Sequence, residues 1–324
     1  MRPRTWIVLA LACVAAAMAG VAWGSVSVAP GDVLAALFSD GGGASRAIVR
    51  DLRLPRVVLG ALVGAGLGMS GAALQGTLRN ALAEPYLLGV SGGAAVGAVL
   101  AVVLGHATAG VVPFAAFAGA IGAVLVVLLV ARAAGGRGDA RLLLMAGVVV
   151  GAFANGAIMI ALANAPANTV RGAVWWMMGS LADAEWPQVR WLALYVVVGG
   201  AALVALAREI DALALGEEPA AALGVDVDAS SRRVYLIASL VAAATVAAAG
   251  LIGFVGLVVP HLARAAGGRG HRAIVLTSAL VGATLVIVAD LAARTVLSPA
   301  ELPLGAVTAL VGVPFFLARL RRLA

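Results

Sequence analysis

Residues 234–266, VYLIASLVAAATVAAAGLIGFVGLVVPHLARAA, form one apolar stretch that is too long for a single membrane crossing. The hydrocarbon core of a bilayer is about 30 Å thick and accommodates about 20 helical residues. The stretch must therefore be interrupted, and Gly250 lies near its middle. We predict two membrane segments, 234–250 and 251–266, that are divided near Gly250.

The same apolar character extends along the whole chain. Of 324 residues, 63% are hydrophobic and 11% are charged, and the mean hydropathy is +1.08. Soluble domains are about 45–50% apolar and about 25% charged, so a soluble or disordered chain is excluded. We predict an all-α, polytopic membrane protein with a single transmembrane domain over residues 1–324. Its ten predicted spans are 6–23, 56–76, 90–106, 112–132, 142–163, 190–207, 234–250, 251–266, 273–295 and 304–319.

The first span begins in a way that also suits a secretory signal peptide. Arg2 and Arg4 precede an apolar run, as in export signals. An export signal would normally release a soluble domain, whereas here apolar segments continue to the end of the chain. We therefore expect a retained first helix.

Several residue types that carry chemistry are scarce. All 22 basic residues are Arg, so the chain has neither the lysine of a P-loop nor one for a Schiff base. Any ATP hydrolysis must then occur on another chain. Cys13 is the single cysteine, and His106, His261 and His271 are far apart. We expect no catalytic residue, metal site or cofactor, and no nucleic-acid partner, because the arginines form no continuous basic run.

The positions of the arginines predict the orientation. Short cytoplasmic loops are rich in Arg and Lys. With both termini inside, the cytoplasmic set consists of Arg2, Arg4, Arg79, Arg132, Arg137, Arg141, Arg208, Arg232, Arg233, Arg264, Arg269, Arg272, Arg319, Arg321 and Arg322.

A second set of arginines lies on the opposite side and breaks this rule. Positive charge there carries a topological cost and needs a reason. One interpretation is a docking surface for an acidic soluble partner. The alternative is snorkelling to lipid headgroups and, for Arg294, a local pair with Asp290 one turn earlier. The residues concerned are Arg46, Arg50, Arg53, Arg56 and Arg294.

Glycine spacing indicates close packing of the second and third spans. Glycines recur every four residues at 60, 64 and 68 and again at 89, 93 and 97, and such stripes let helices approach closely in lipid. Between the stripes, Pro85 stops a helix and Ser91 is suited to cap the next one. We predict a re-entrant turn there, with a plain capped turn favoured over an anion site.

Residues 168–191 hold four of the six tryptophans. Because indole rings favour the membrane interface, an interfacial helix with an aromatic belt is one interpretation. The alternative is a wall or outer gate of a translocation path, suited to a bulky and partly apolar ligand. The candidate gate residues are Trp175, Trp176, Met177, Met178 and Ser180.

The one sizeable cytoplasmic connection covers about residues 208–233. Within it, residues 215–225 predict a short helix between Gly216 and Gly224, with Pro219 in its first turn. The segment is too short and too acidic to enter the membrane. It suits contact with a cytoplasmic partner, although a simple surface cap would have the same sequence.

Six motifs, in order, resemble the permease subunits of ABC importers for ferric siderophores, haem and cobalamin, and the resemblance covers essentially the whole chain. The motifs are LRLPR at 52–56, NALAEP at 80–85 with LGVSGG at 88–93, WMMGS at 176–180, LGEE at 215–218, GLIGFVGLVVPH at 250–261 and AELPLG at 300–305.

The resemblance implies a type II ABC importer permease fold in a multi-pass protein of the cytoplasmic (inner) membrane. It implies a homodimer with the path at its interface, two cytoplasmic ABC ATPase subunits and an extracytoplasmic substrate-binding protein that delivers a metal chelate. It assigns docking of that protein to Arg53, Arg56 and Arg294. The implied ATPase-coupling residues are Leu215, Gly216, Glu217, Glu218, Ala221, Leu223 and Gly224.

Several points remain open at the level of sequence. Iron chelates are favoured by the breadth of the family, and cobalamin is the alternative substrate. We interpret His261 as structural rather than as a haem ligand. An ion-coupled secondary transporter would need buried ionisable groups, for which Asp290 is the candidate, and a membrane enzyme lacks any matching set of residues.

Overall fold

The computed structural model describes residues 3–24, 31, 33, 36, 46–108, 110–135 and 140–320, without the side chains of residues 140, 141, 319 and 320. Within this part of the chain all regular structure is helical, as predicted. The α-helices are α1 Pro3–Ala22, α2 Leu54–Thr77, α3 Val90–Val103, α4 Val111–Ala133, α5 Ala140–Ala163, α6 Ala167–Met177, α7 Trp186–Ala205, α8 Ala207–Leu215, α9 Glu217–Ala222, α10 Val227–Ala249, α11 Val255–Ala265, α12 His271–Thr295 and α13 Leu304–Leu320.

The helices match the ten predicted spans. Seven are long and apolar enough to cross a bilayer: Pro3–Ala22, Ala47–Thr77, Val111–Ala133, Leu142–Ala163, Trp186–Ala205, Val227–Ala249 and His271–Thr295. The other three predicted spans correspond to shorter apolar helices, Val90–Val103, Val255–Ala265 and Leu304–Ala318. The second long helix begins with a π-helical segment, Ala47–Arg53, that leads directly into α2.

The predicted interruption near Gly250 is confirmed. Helix α10 ends at Ala249, and α11 begins at Val255 after five non-helical residues. At a rise of about 1.5 Å per residue, the 11 residues of α11 extend only about 16 Å, roughly half of a bilayer core. Gly250 and Phe254 both have positive φ, of 70° and 67°. For Phe254 this is a costly conformation that the surrounding packing must impose.

Glycine spacing correctly predicts close packing, although each stripe packs against a later helix. A Cβ on Gly64 would overlap the backbone of Gly282 in α12, and a Cβ on Gly97 would overlap that of Ala115 in α4. Helix α2 therefore packs most closely with α12, and α3 with α4, because only glycine permits these backbones to meet. Sequence spacing identifies a contact face, but not the helix that will occupy it.

Twelve residues, 78–89, connect α2 to α3, and Ser91 does not cap the following helix as predicted. Gly89 takes the cap position with φ 85°, and no side chain bonds there. The hydroxyl of Ser91 instead donates to the carbonyl of Tyr86. A 3-10 turn, Pro85–Leu88, leads into Gly89, so glycine in a left-handed conformation starts the helix in place of a polar cap.

Helices α2 and α12 are antiparallel and connect two distinct ends of the molecule. At one end Arg56 of α2 meets Asp290 of α12; at the other, Gly76 of α2 contacts His271 at the start of α12. The 20 helical steps from Arg56 to Gly76 correspond to about 30 Å, the thickness of a bilayer core. We name them the cluster end, which holds Arg53, Arg56 and Arg294, and the loop end, which holds residues 207–226.

Arg2, Arg137, Arg321 and Arg322 lie outside the described residues, as do the side chains of Arg141 and Arg319.

Candidate functional sites at the two ends of the helix pair

Arg56 lies at the centre of the cluster end, between two carboxylates. Its Nε and Nη2 donate to Asp290 at 2.8–3.0 Å. Its Nη1 and Nη2 donate to the two oxygens of Glu301, each at 2.9 Å. Both edges of the planar guanidinium are thus occupied by paired hydrogen bonds, the arrangement for which arginine is best suited. The hydrogen bonds from Arg56 lower the pKa of the Glu301 carboxyl below its usual value.

The two carboxylates differ sharply in exposure. The side chain of Asp290 is 4% exposed and that of Glu301 is 41% exposed. Asp290 is therefore a buried counter-charge for Arg56. Glu301 covers the same guanidinium from the solvent side.

Arg53 and Arg294 bind the end of helix α1. Arg53 donates through Nη1 to the carbonyls of Val21 and Ala22 at 2.9 and 2.8 Å, and Arg294 donates through Nη2 to that of Gly20. Both residues are only 6% exposed. Cations at a helix C-terminus stabilise the unpaired carbonyls and the negative end of the helix dipole.

These contacts change the interpretation of Arg294. Its Nε lies 3.5 Å from Asp290 but makes no hydrogen bond, so the predicted local pair is weaker than the pair of Asp290 with Arg56. Snorkelling to lipid headgroups does not suit Arg53 and Arg294, because both guanidiniums are directed to backbone carbonyls inside the protein.

The candidate gate residues surround a junction of three chain segments. After α6 the chain turns at Gly179, with φ 74°, and the amide of Ser180 donates to Ala249 at the end of α10. At the start of α13, Leu304 and Gly305 donate to the carbonyls of Gly179 and Met178 at 3.1 and 3.0 Å. The non-helical backbone of this junction is thereby bonded within the protein, as an apolar environment requires.

A cavity of about 600 Å³ lies beside this junction. Trp175, Trp176 and Ser180 line it, together with Gln188 and the end of α10. Gln188 donates through Nε2 to the carbonyl of Ala248, 2.7 Å away, while its buried Oε1 has no hydrogen-bond partner among the described residues. A largely apolar wall with a few polar groups is typical of a small-molecule site. Met177 and Met178 do not line this cavity.

The interrupted span is also bonded to the turn between α2 and α3. The amide of Ile252 donates to the hydroxyl of Tyr86 at 2.8 Å, and the amide of Phe254 donates to the carboxyl of Glu84. Burial raises the pKa of Glu84 to about 7, although the Phe254 amide opposes the shift. Sequence reasoning missed Glu84; the available signal was a carboxylate next to Pro85 within an apolar region.

The loop end carries the predicted short helix. Gly216, with φ 122°, separates α8 from α9, and Gly224, with φ 80°, follows α9. Ala220 is buried against Ala212 and Leu213 of α8. One face of α9 is thereby attached to the protein, and the opposite face is free to contact another molecule.

The predicted coupling residues are mostly on that free face. Leu215 and Leu223 are each 66% exposed, Glu217 forms only a loose, exposed pair with Arg79 at 3.4 Å, and Gly216 is buried. Large exposed leucines beside acidic residues on a small helix are typical of a protein-binding surface. The exposed members of the set are Leu215, Glu217, Glu218, Ala221, Leu223 and Gly224.

Polar contacts attach α8 to the rest of the protein. Asp211 accepts hydrogen bonds from the backbone amide and Nδ1 of His271, at 2.8 and 2.7 Å. His271 is the first residue of α12 and contacts Gly76 of α2. Through His271, α8 is thus linked to both helices of the α2–α12 pair.

His261 lies near a backbone carbonyl, consistent with a structural role. Its Nε2 is 3.2 Å from the oxygen of Ala81, in the turn between α2 and α3. Over the described residues, no three His, Cys, Asp or Glu side chains are grouped as metal ligands usually are.

The fold and these sites define an all-α, polytopic membrane protein of the transport class. Its described residues include seven apolar helices long enough to cross a bilayer, three shorter apolar helices, an interrupted span and the exposed helix α9. The chain matches the FecCD transport family over residues 9–322 and belongs to that family.

Relatives in this family extend over most of the chain. The cobalamin import system permease protein BtuC of Halobacterium salinarum is 47% identical over 86% of this chain and 74% of its own length. The hemin transport system permease protein HmuU of Yersinia pestis is 36% identical over 82% of this chain and 81% of its own length. The solved structure of a metal-chelate type ABC transporter in an inward-facing conformation, 28% identical, has a TM-score of 0.89 over 99% of this chain and 100% of that one.

Proposed function

We propose that this chain is the membrane-spanning subunit of an ATP-driven importer that carries a metal chelate across the cytoplasmic membrane. The observation that carries the proposal is α9, a short helix with exposed glutamates that lies between two exposed leucines, Leu215 and Leu223, at one end of a transport-family fold. The chain itself would move the substrate, and a separate ATPase would hydrolyse ATP.

In this proposal the loop end contacts the ATPase. The exposed leucines at 215 and 223 supply apolar contact area, and the acidic residues between them supply orientation. Because Asp211 and His271 join α8 to α12, movement of the ATPase would reach the α2–α12 pair. Transport would then proceed by rocking between inward-open and outward-open states.

The cluster end would face the extracytoplasmic binding protein. Arg56, with Arg53 and Arg294 behind it, provides the positive charge that an acidic partner requires. Charge complementarity of this kind mainly sets orientation and encounter rate. Both termini would be cytoplasmic, in agreement with the arginine-rich connections on the loop side.

Two copies of the chain would enclose the path between them. Trp175, Trp176, Met177, Met178 and Ser180 would form its wall and outer gate near the cavity. Membrane lipid would cover the remaining apolar faces, which include exposed Phe153 and Ile160 on α5.

The substrate would be a bulky chelate, and cobalamin is the first to test. The support is the 47% identity to a cobalamin import permease, against 36% to a hemin permease. Haem and ferric siderophores remain the other members of the substrate class that the sequence favours.

Reconstitution in proteoliposomes tests the proposal. The chain, its ATPase and its binding protein are assembled, and uptake of cobalamin, haem and a ferric siderophore is measured with ATP and with a non-hydrolysable analogue. We expect uptake of one chelate that requires ATP hydrolysis. Uptake driven by a proton or sodium gradient in the absence of the ATPase would contradict the proposal and support a secondary transporter.

A further inference from the structure

The geometry of the cluster end points to an exchange of carboxylates: we infer that Glu301 is an internal placeholder, which a carboxylate of the docking partner displaces from Arg56. The inference rests on the proposed docking of a binding protein at this end, and it adds how that docking would be transmitted to the gate.

The hydrogen-bonding capacity of Arg56 limits how many carboxylates it can hold. A guanidinium has five N–H groups and two edges that can hold a carboxylate by paired bonds. Asp290 occupies the Nε/Nη2 edge and Glu301 occupies the Nη1/Nη2 edge. For a third carboxylate only one N–H group remains, on Nη1. Binding it by paired hydrogen bonds requires either Asp290 or Glu301 to leave Arg56.

The difference in burial between Asp290 and Glu301 decides which carboxylate leaves. Removal of Asp290 would leave buried cations without their counter-charge, which is strongly unfavourable. Glu301 is 41% exposed, and an ion pair open to water contributes little net stability. Exchange of Glu301 for an external carboxylate keeps the number of bonds to Arg56 unchanged, so it is close to neutral in energy and readily reversible.

The short segment after Glu301 connects this residue to the gate. Glu301 is three residues before Leu304, whose amide donates to Gly179, and Gly305 donates to Met178. A Cβ on Gly305 would lie 2.6 Å from the oxygen of Leu251 and 2.7 Å from that of Met178. The start of α13 is thus in direct backbone contact with both the gate turn and the interrupted span. Release of Glu301 frees this segment from the arginine cluster at the moment of docking.

For a variant that lacks the Glu301 carboxylate, the exchange predicts stronger docking of the binding protein rather than weaker docking. Removing a carboxylate that competes with the partner strengthens docking, whereas removing one that orients Arg56 weakens it. We expect Glu301→Gln to lower the dissociation constant of the binding protein about threefold to fivefold, the range for loss of a partly exposed ion pair. Glu301→Asp, which keeps the charge but shortens the reach, gives a smaller decrease and serves as the second variant.

Glu185→Gln is the matched control for long-range charge. It removes the same charge from an exposed residue just before α7. Glu185 lies near Arg50, because the indole of the neighbouring Trp186 donates a hydrogen bond to the carbonyl of Arg50. Because Glu185 does not contact Arg56, we expect less than a twofold change in docking.

Thiol accessibility of Met178→Cys in a Cys13→Ala background gives a second readout. In the reconstituted complex, docking should increase labelling at position 178, and Glu301→Gln should raise labelling before docking. Unchanged or weaker docking in both Glu301 variants, or unchanged labelling, would overturn the exchange. Arg56→Gln distinguishes failure of the carboxylate exchange from failure of the proposed docking surface. If Arg56→Gln leaves docking intact, the docking surface itself is wrong.

Discussion

The two ends of the α2–α12 pair present their candidate partner-binding residues in opposite states. At the cluster end, Arg53 and Arg294 are buried, the side chain of Arg56 is 11% exposed, and all three are bonded within the chain. At the loop end, acidic and leucine side chains of the α9 region are exposed, and the pair of Glu217 with Arg79 is loose. A partner at the loop end can add contacts to a free surface, whereas a partner at the cluster end must replace contacts that already exist.

This difference suits two kinds of partner. A subunit that remains attached gains from a permanently available apolar surface, because burial of that surface is favourable at once. A partner that must dock and leave gains from an exchange of nearly equal bonds, because neither state is strongly preferred.

The largest expected effect follows from the difference between buried and exposed carboxylates within the cluster. Asp290→Asn leaves Arg56 and Arg294 without their buried counter-charge, so we expect a loss of about 3–5 kcal/mol in unfolding free energy. Glu301→Gln, the control in the same cluster, should cost less than about 1 kcal/mol. Thermal unfolding in detergent measures both, and equal losses would show that burial does not distinguish the two acids.

Charge reversal at the loop end should affect transport and leave stability unchanged. In the double variant Glu217→Arg and Glu218→Arg, we expect coupled uptake to fall roughly thirtyfold at limiting ATPase, the scale for loss of an interface hot spot. Asp228→Arg, an exposed acid at the start of α10, controls for charge. Normal ATP-coupled uptake in the double variant would remove the assigned role of α9.

The smallest effect concerns Glu84, between the two ends. Its pKa in the folded protein is raised to about 7 by burial. Its contribution to stability is therefore complete below pH about 4.5 and is lost as the pH rises through 7. We expect unfolding free energy to fall by about 1–2 kcal/mol between pH 6 and pH 8 from this group, and Glu84→Gln to abolish that part. The exposed acid Glu218, changed to Gln, should leave the pH dependence intact.

The sequence predicts what depends on local composition. Helices form wherever an apolar run is long enough, and the interruption at Gly250 follows from length alone. The short helix α9 follows from Gly216, Pro219 and Gly224. Each of these features is decided within about 20 residues, so the structure agrees closely with the prediction.

Contacts between distant parts of the chain are not predictable in this way. Arg56 and Glu301 are 245 residues apart in sequence, and nothing local indicates that Glu301 would cover Arg56. The glycine stripe at 60, 64 and 68 likewise predicts a close contact without naming α12. The motif resemblance identified the arginines as a group, but their burial and the counter-charge on Asp290 required the three-dimensional structure.

Sided cysteine labelling tests the central claim, that the cluster end and the loop end lie on opposite sides of the membrane. In a Cys13→Ala background, Leu52→Cys and Leu223→Cys place single thiols at positions that are 64% and 66% exposed. With an impermeant reagent applied to oriented vesicles, we expect Leu52→Cys to react only from the extracytoplasmic side and Leu223→Cys only from the cytoplasmic side. Labelling of both positions from the same side would contradict the account.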